Sequence, residues 1–486
     1  MSSENKTAKK SGMSIVDYFM LGFGAMVGVG WSVAINGWFA SGGGALPTLL
    51  AFVIGTLLMI PVGFCYAELT PAMPVAGGVV AFTYRAFGKF PSFIAGWFVV
   101  LAYVNVLPWE AIYINDVLGM MFPILKSGEP LYTLGGAGIY PIALVVGIVV
   151  SLVVIWINWV GSKVAIRFQT ICTALLAVTG ILLIIMALFK ANPSNLLPVY
   201  QNIGKGSHSN FLGGLFAMLA SAPFFLAGFD TIPQGAEEGS AGLNFKNLGK
   251  VLLIAVMAAG GFYCMMILST GMAMPWMQFA EQARPAVSIM FRNLYPGIIG
   301  EIMYWLSLVA ALAGLFTTWN GCYIAGARLI MGLGRARFLP GFFAKVHPKY
   351  GTPLGGNALC AIATLAGPFI GIGLIDPLTI IGSTAFVVGW FFVSLSAARL
   401  RKTEPDMKRP FRMPGGAPMA IVASIVSAIL IIITLIPASP GYMGNVGIGY
   451  LIGWIVLGLI LYGVSSKYRN SVTEEERTES IFQSKK

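Results

Sequence analysis

The sequence predicts an all-α membrane protein of twelve transmembrane helices, built as a 5+5 inverted repeat with helices one and six broken and two further helices at the periphery. Three observations lead there. The 486 residues are 57% hydrophobic and only 10% charged, with a mean hydropathy of +0.82, far from the composition of soluble domains. Apolar stretches of helical membrane length recur along nearly the whole chain, which favours a helical bundle over an outer-membrane barrel. Glycine-rich interruptions fall in the first and sixth stretches, and a helix broken at mid-depth is tolerated only where protein or a water-filled cavity surrounds it.

The first span, 14 to 40, contains Gly22, Gly24, Gly28 and Gly30 before Trp31. These glycines let backbone amides leave helical pairing and let a ligand approach. Gly24 and Gly28 also form a GxxxG, which serves helix packing in membranes equally well. If the helix unwinds here, the second half-helix presents free N–H groups and a positive dipole end to an anion such as a carboxylate. Spans two and three follow at 45 to 67 and 92 to 120. The third carries Glu110 within Pro108-Trp109-Glu110-Ala111, a carboxylate in apolar surroundings that either carries a proton, attracts a cationic group, or is protonated and bonded to a neighbouring helix. Asp116 lies nearer the outer end, and Glu68, Glu237 and Glu238 nearer the inner ends, where vestibule, gate or cap roles suit them.

Spans four and five, 138 to 158 and 165 to 189, complete the first repeat, 14 to 189. The sixth span, 210 to 236, is weakened by Pro223, Gly228 and Pro233 around Phe224, Phe225, Ala227, Phe229 and Asp230. Asp230 either caps the second half-helix or meets a cation, and the neighbouring phenylalanines either pack or offer cation–π attraction to an amine. Spans seven to ten, at 248 to 273, 299 to 331, 354 to 374 and 378 to 398, close the second repeat, 210 to 398. Five helices per repeat is an odd number, so the second copy is inverted. Between spans seven and eight, Trp276, Met277, Phe279 and Met290 suggest short helices along the outer surface, as an interfacial loop or a vestibule lid. Spans eleven and twelve, 416 to 437 and 446 to 465, are peripheral. The transporter domain runs from 14 to 466, between an N-terminal tail, 1 to 13, and a C-terminal tail, 467 to 486.

The net charge of +12 reports topology. With both termini cytoplasmic, about 24 Lys and Arg residues fall on the inner side, among them Lys6, Lys9, Lys10, Lys485 and Lys486, against 5 outside including Lys205. This pattern suits a multi-pass plasma-membrane protein and argues against a nucleic-acid partner. The first span is too long for a cleaved secretory signal. The basic loop Arg399 to Pro414 reads as an anchor beside anionic membrane lipid, and the acidic run Glu474, Glu475, Glu476 and Glu479 as a solvated terminus.

Five cysteines stand singly without CxxC spacing, and the two histidines, His208 and His347, lie in loops. Neither set suggests a metal site, a disulfide or a cofactor. The absence of a Walker A loop, an HExxH helix and a nucleophile elbow argues against an ATP-driven pump or a hydrolase, hence against an enzyme.

Several separated motifs occur in order along the chain: Gly22 to Gly30; Tyr66-Ala67-Glu68-Leu69 with Pro74-Val75-Ala76-Gly77-Gly78; Gly228-Phe229-Asp230 with Ala236-Glu237-Glu238; Arg328; Arg337-Phe338-Leu339-Pro340; and Lys345 to Pro353. Together they resemble the amino acid, polyamine and organocation transporters of the LeuT-type fold. The resemblance implies secondary transport of an amino acid or related amine by alternating access. It places substrate contacts at Ala25, Met26, Gly28, Val29 and Gly30 in the first helix and at Phe225, Ala227, Gly228 and Asp230 in the sixth, with Phe224 as an aromatic gate. Val29 stands where many members have Ser. Leu176 stands near the position where some proton-coupled members have Lys, and Thr317 and Thr318 offer oxygens to sodium, so the resemblance leaves proton or sodium coupling open. Glu110, Asp230 and Val29 together tilt the expectation toward a cationic amine or basic amino acid, with a neutral amino acid permease as the alternative. A non-transporting receptor on a transporter scaffold, or a channel, is the more remote reading.

Overall fold

The structure, a computed structural model, describes residues 12–204, 208–239 and 243–483. Lys6, Lys9, Lys10, Lys205, Lys485 and Lys486 lie outside the described residues, as does the Glu238 side chain.

Helices dominate, because a chain this apolar must satisfy its backbone polar groups within each segment. The first span is three pieces: α1 (Ile15–Met26), α2 (Gly30–Val33) and α3 (Ile35–Gly42). Ser14 opens α1 with a capping box, its hydroxyl accepting from the Asp17 amide at 3.2 Å while Asp17 accepts from the Ser14 amide at 2.9 Å. Next come α4 (Ala45–Ala72), the short α5 (Gly78–Phe87) and α6 (Lys89–Met121). The helices α7 (Pro141–Val160) and α8 (Ser162–Leu188) precede the second broken span, α9 (Phe211–Leu226) and α10 (Thr231–Gln234).

The chain continues through α11 (Phe245–Ala273), the short α12 (Trp276–Glu281) and α13 (Ala286–Leu294), and the 38-residue α14 (Ile298–Arg335). Last come α15 (Leu354–Ile370), α16 (Ile375–Thr403), α17 (Gly416–Leu435), α18 (Gly444–Val464), α19 (Ser466–Asn470) and α20 (Glu474–Phe482).

Among the described residues, 11 helical stretches are long and apolar enough to cross a membrane. The ninth expected span is shorter than the others. It is the 17-residue α15, stopped by Pro368 in its last turn and by Gly371 at φ +70°. The α6 window is 83% buried and α18 only 17%, so α6 runs through the centre and α18 packs at the edge. Outward-facing Val178 and Trp156 are 70% and 61% exposed, the apolar surface that a bilayer covers.

Both described chain ends lie at one end of the bundle. Met13 bridges to Gly239, and Gln483 bonds Glu237. At the opposite end the expected short helices α12 and α13 are present, with Trp276, Phe279 and Met290 buried. A two-stranded hairpin, Tyr132–Leu134 with Ala137–Ile139, joins α6 to α7. Its Gly135-Gly136 turn has φ +58° and +80°, the left-handed pair that a two-residue hairpin loop requires.

Two expectations change. The basic loop is not simply an open anchor, since Arg401 and Arg409 turn inward onto Glu68. That carboxylate is fully buried, paired with Arg401, 3.2 Å from the Arg409 Nε, and accepts the Met413 amide at 2.8 Å. Burying one carboxylate requires such neutralisation. The acidic residues Glu474, Glu475, Glu476 and Glu479 are exposed as expected, but the tail that carries them is ordered. It forms α20, in which Arg477 and Ile481 are buried.

Candidate functional site

The two breaks meet at the centre. The first helix stops at Met26 and resumes at Gly30, while the sixth stops at Leu226 and resumes at Thr231. Gly228 adopts φ +124°, and a Cβ there would stand 2.6 Å from the Ala25 carbonyl carbon. Glycine is what lets these two backbones touch. On the other side of the first break, a Cβ on Gly314 of α14 would lie 2.5 Å from the Gly28 oxygen. The unwound segment is therefore held between backbones.

Among the described residues, no backbone carbonyl accepts from the Gly28 or Val29 amide. Tyr263 of α11 donates its hydroxyl to the Met26 carbonyl at 3.1 Å, satisfying one acceptor that the break frees. Thr318 of α14 donates to the Gly24 carbonyl at 3.3 Å, and Thr317 to Gly314 of its own helix at 2.8 Å. Leu176 reaches the same region, 3.4 Å from a Cβ built on Gly314.

A small cavity of about 20 Å³ lies between the breaks, room for roughly one water. Ala25, Met26, Gly28, Val29, Gly30, Glu110, Phe224, Phe225 and Ala227 all line it. Gly228 and Asp230 do not. Gly228 is spent on the contact with Ala25. The Asp230 Oδ1 accepts the Gly228 amide at 3.0 Å, and Asp230 makes no side-chain cap bond to α10 although it occupies the N-cap position. Its other oxygen is buried and faces the Tyr103 hydroxyl, with Tyr66 in the same layer. Asp230 thus braces the second break from behind the cavity.

Glu110 is the one carboxylate in the cavity wall. It is 1% exposed, its Oε2 has no hydrogen-bond partner, and among the described residues no cation pairs with it. Its Oε1 lies 3.4 Å from where a Cβ on Gly28 would be, and Thr318 Oγ1 lies 2.6 Å from the same point. An unpaired buried carboxylate is costly, so this one needs a proton or a cation.

Sequence reasoning did not assign Val106, Trp109, Tyr263, Cys322 and Phe386 to the wall, although they line it. Most sit in continuous apolar runs where nothing distinguishes a wall residue from a core residue. Trp109 and Phe225 also floor a larger cavity of about 430 Å³ that reaches Arg284 and Asp376 at the end opposite the termini. Trp38 and Phe225 ring centres are 4.7 Å apart, and Trp109 and Phe224 are 5.4 Å apart. This aromatic layer separates the two cavities. On the side of the termini, Phe229 packs edge-on against Tyr66 at 5.3 Å and beside Trp390 at 5.7 Å. The centre is closed from both ends.

The amino acid permease family matches residues 13–461. A methylthioribose transporter of Bacillus subtilis is 26% identical over 475 residues, covering 96% of this chain and 95% of the relative. The branched-chain amino acid permease BcaP of the same organism is 25% identical over 483 residues, covering 97% and 96%. Cationic amino acid transporter 5 of Arabidopsis thaliana is 26% identical over 452 residues, covering 90% and 72%.

Proposed function

This chain belongs to the amino acid permease family, and from that premise we propose that it is a plasma-membrane secondary transporter that carries an amino acid or related organic amine by alternating access, with a basic amino acid or cationic amine preferred. The observation that carries the preference is Glu110, a buried carboxylate in the wall of the central cavity with no cationic partner among the described residues. A substrate ammonium or guanidinium would supply the missing charge. Val29 lines the same space and, among the described residues, its amide has no backbone acceptor, which suits a substrate carboxylate, while the Gly28 amide is set against the Tyr263 hydroxyl. Ala25, Met26, Gly30, Phe224, Phe225 and Ala227 would shape the pocket, while Gly228 and Asp230 would hold the two breaks together.

The cavity of about 20 Å³ is far below the hundreds of Å³ of a typical ligand pocket. Entry therefore requires the layer of Trp38, Trp109 and Phe225 to move, and release requires the layer of Tyr66, Phe229 and Trp390 to part. We read the two helix breaks as the halves of a 5+5 inverted repeat, with both termini in the cytoplasm as the basic loops favour.

A second reading is a neutral amino acid permease in which Glu110 carries the coupling proton. It is favoured by the other side chains of the wall, which are apolar apart from the Tyr263, Thr318 and Cys322 groups. Sodium is less well supported, because Thr317 bonds within its own helix and Leu176 occupies the neighbourhood. Thermal stabilisation of the purified protein across a panel of amines and amino acids, followed by counterflow in proteoliposomes, tests the proposal, since a ligand that binds the folded state raises apparent stability. Basic amino acids should stabilise and exchange. Stabilisation by neutral compounds alone would favour the second reading.

A further inference from the structure

The C-terminal helix connects elements that an opening movement would have to separate. A capping box starts α20, the Thr473 hydroxyl accepting from the Glu476 amide at 3.2 Å and Glu476 from the Thr473 amide at 2.8 Å. One face of the helix seats on the end of α14. Buried Arg477 donates to the Ala336 carbonyl at 2.9 Å, and Ser480 donates to the Arg335 carbonyl at 3.0 Å. At the other side, Glu474 accepts the Tyr84 hydroxyl at 2.7 Å and pairs with Lys89, tying the start of α20 to α5 and α6.

Beyond the helix, Gln483 donates to Glu237 at 2.8 Å. Glu237 follows α10, the inner half of the broken sixth helix, by three residues. The same carboxylate accepts the Ala76 amide at 2.6 Å and the Arg335 guanidinium at 3.0 Å. Three separate segments thus converge on the end of the broken helix, and the tail supplies one of them while buttressing a second, Arg335. Alongside the helix a groove of about 1080 Å³, lined by Arg85, Lys89, Arg399, Glu474 and Phe482, admits solvent, so the tail can peel from one side while its Arg477 side stays buried.

We infer that α20 is a strap that holds the terminal-side gate shut, so that opening of the central cavity toward this face is coupled to release of the C-terminal tail from Glu237 and Lys89. The inner half of the sixth helix cannot swing from α14 without breaking the bonds at Glu237, and the strap shifts that equilibrium toward the closed form by binding it alone. This rests on the alternating-access reading above.

Cys322 gives a native reporter, because it lines the central cavity and is 1% exposed. The full-length protein, a chain lacking residues 471–486 and a full-length Glu474→Gln/Gln483→Ala variant are reconstituted, and the terminal-side face is treated with a membrane-impermeant thiosulfonate. The Cys322→Ser version of each defines the background. Deletion should raise the Cys322 labelling rate about tenfold, and the point variant by a smaller factor in the same direction, as expected when a closed-state contact is removed. The point variant decides if the deleted chain does not fold. Unchanged labelling in these variants, in a protein whose Cys322 still responds to millimolar L-arginine or L-leucine, would overturn the strap alone. A Cys322 that responds to neither tail nor amino acid would overturn both the strap and alternating access.

Discussion

Glu110 and Gly28 face one another across the central cavity, close enough that a Cβ on residue 28 would stand 3.4 Å from the Glu110 Oε1. A carboxylate from an unbroken helix is thereby set against the unwound backbone of another. A carboxylate and unwound backbone thus line one small volume, the arrangement on which the proposed binding of an amine rests.

Gly28→Ala should leave a folded protein with little transport. The added methyl meets Thr318 Oγ1 at 2.6 Å, a side chain that can rotate, so the stability cost should stay near about 1 kcal/mol while the pocket is filled. Size-exclusion profiles together with counterflow check it.

Gly228→Ala should be far more damaging to stability. Residue 228 has φ +124°, and its Cβ would meet the backbone of Ala25 and Met26 at 2.6–2.7 Å, which cannot move aside cheaply. A loss of about 3 kcal/mol or more is expected from strain and overpacking together. Gly261→Ala, whose Cβ would meet nothing within 4 Å, is the control, and thermal unfolding in detergent distinguishes them.

Glu68→Gln should destabilise the protein by about 3 kcal/mol, because it strands Arg401 and nearly buried Arg409 without their shared carboxylate. Loss of thermal stability with unchanged apparent affinity for the best substrate would place Glu68 in the scaffold.

Acid should loosen the C-terminal helix. Partial burial alone would push the Glu474 carboxyl up, but Lys89 and Tyr84 outweigh it and hold this group below the ordinary carboxylate range. A folded value below the unfolded one means that docking gains its contribution above the ordinary range and loses it as pH falls through the folded value. Glu474 is largely exposed, so salt should weaken the same contact. Limited proteolysis of residues 471–483 against pH and ionic strength reads both effects.

Much of the central site was legible because lipid makes its features conspicuous. Glycines in apolar runs and a carboxylate at Glu110 are expensive in a bilayer unless used, and the structure places both at the cavity. The position of Asp230 was not legible, since it depends on a bond to the amide two residues before it, in a backbone turn that only Gly228 permits. Partners far apart in the chain were also hidden. Arg401 meets Glu68 across 333 positions and Arg477 meets the Ala336 carbonyl across 141, and neither pairing leaves a local pattern. The acidic composition of the tail also concealed one buried arginine, Arg477, that helps to seat it on the end of α14.

The role of Glu110 is tested most directly by counterflow of L-arginine and L-leucine into proteoliposomes containing the unaltered protein or Glu110→Gln. The account predicts that L-arginine exchange in the unaltered protein falls by about tenfold or more in the variant, the loss of roughly one charge-assisted contact, while any L-leucine exchange changes little. L-arginine exchange undiminished by Glu110→Gln, or exchange of L-leucine alone that the substitution abolishes, would contradict it.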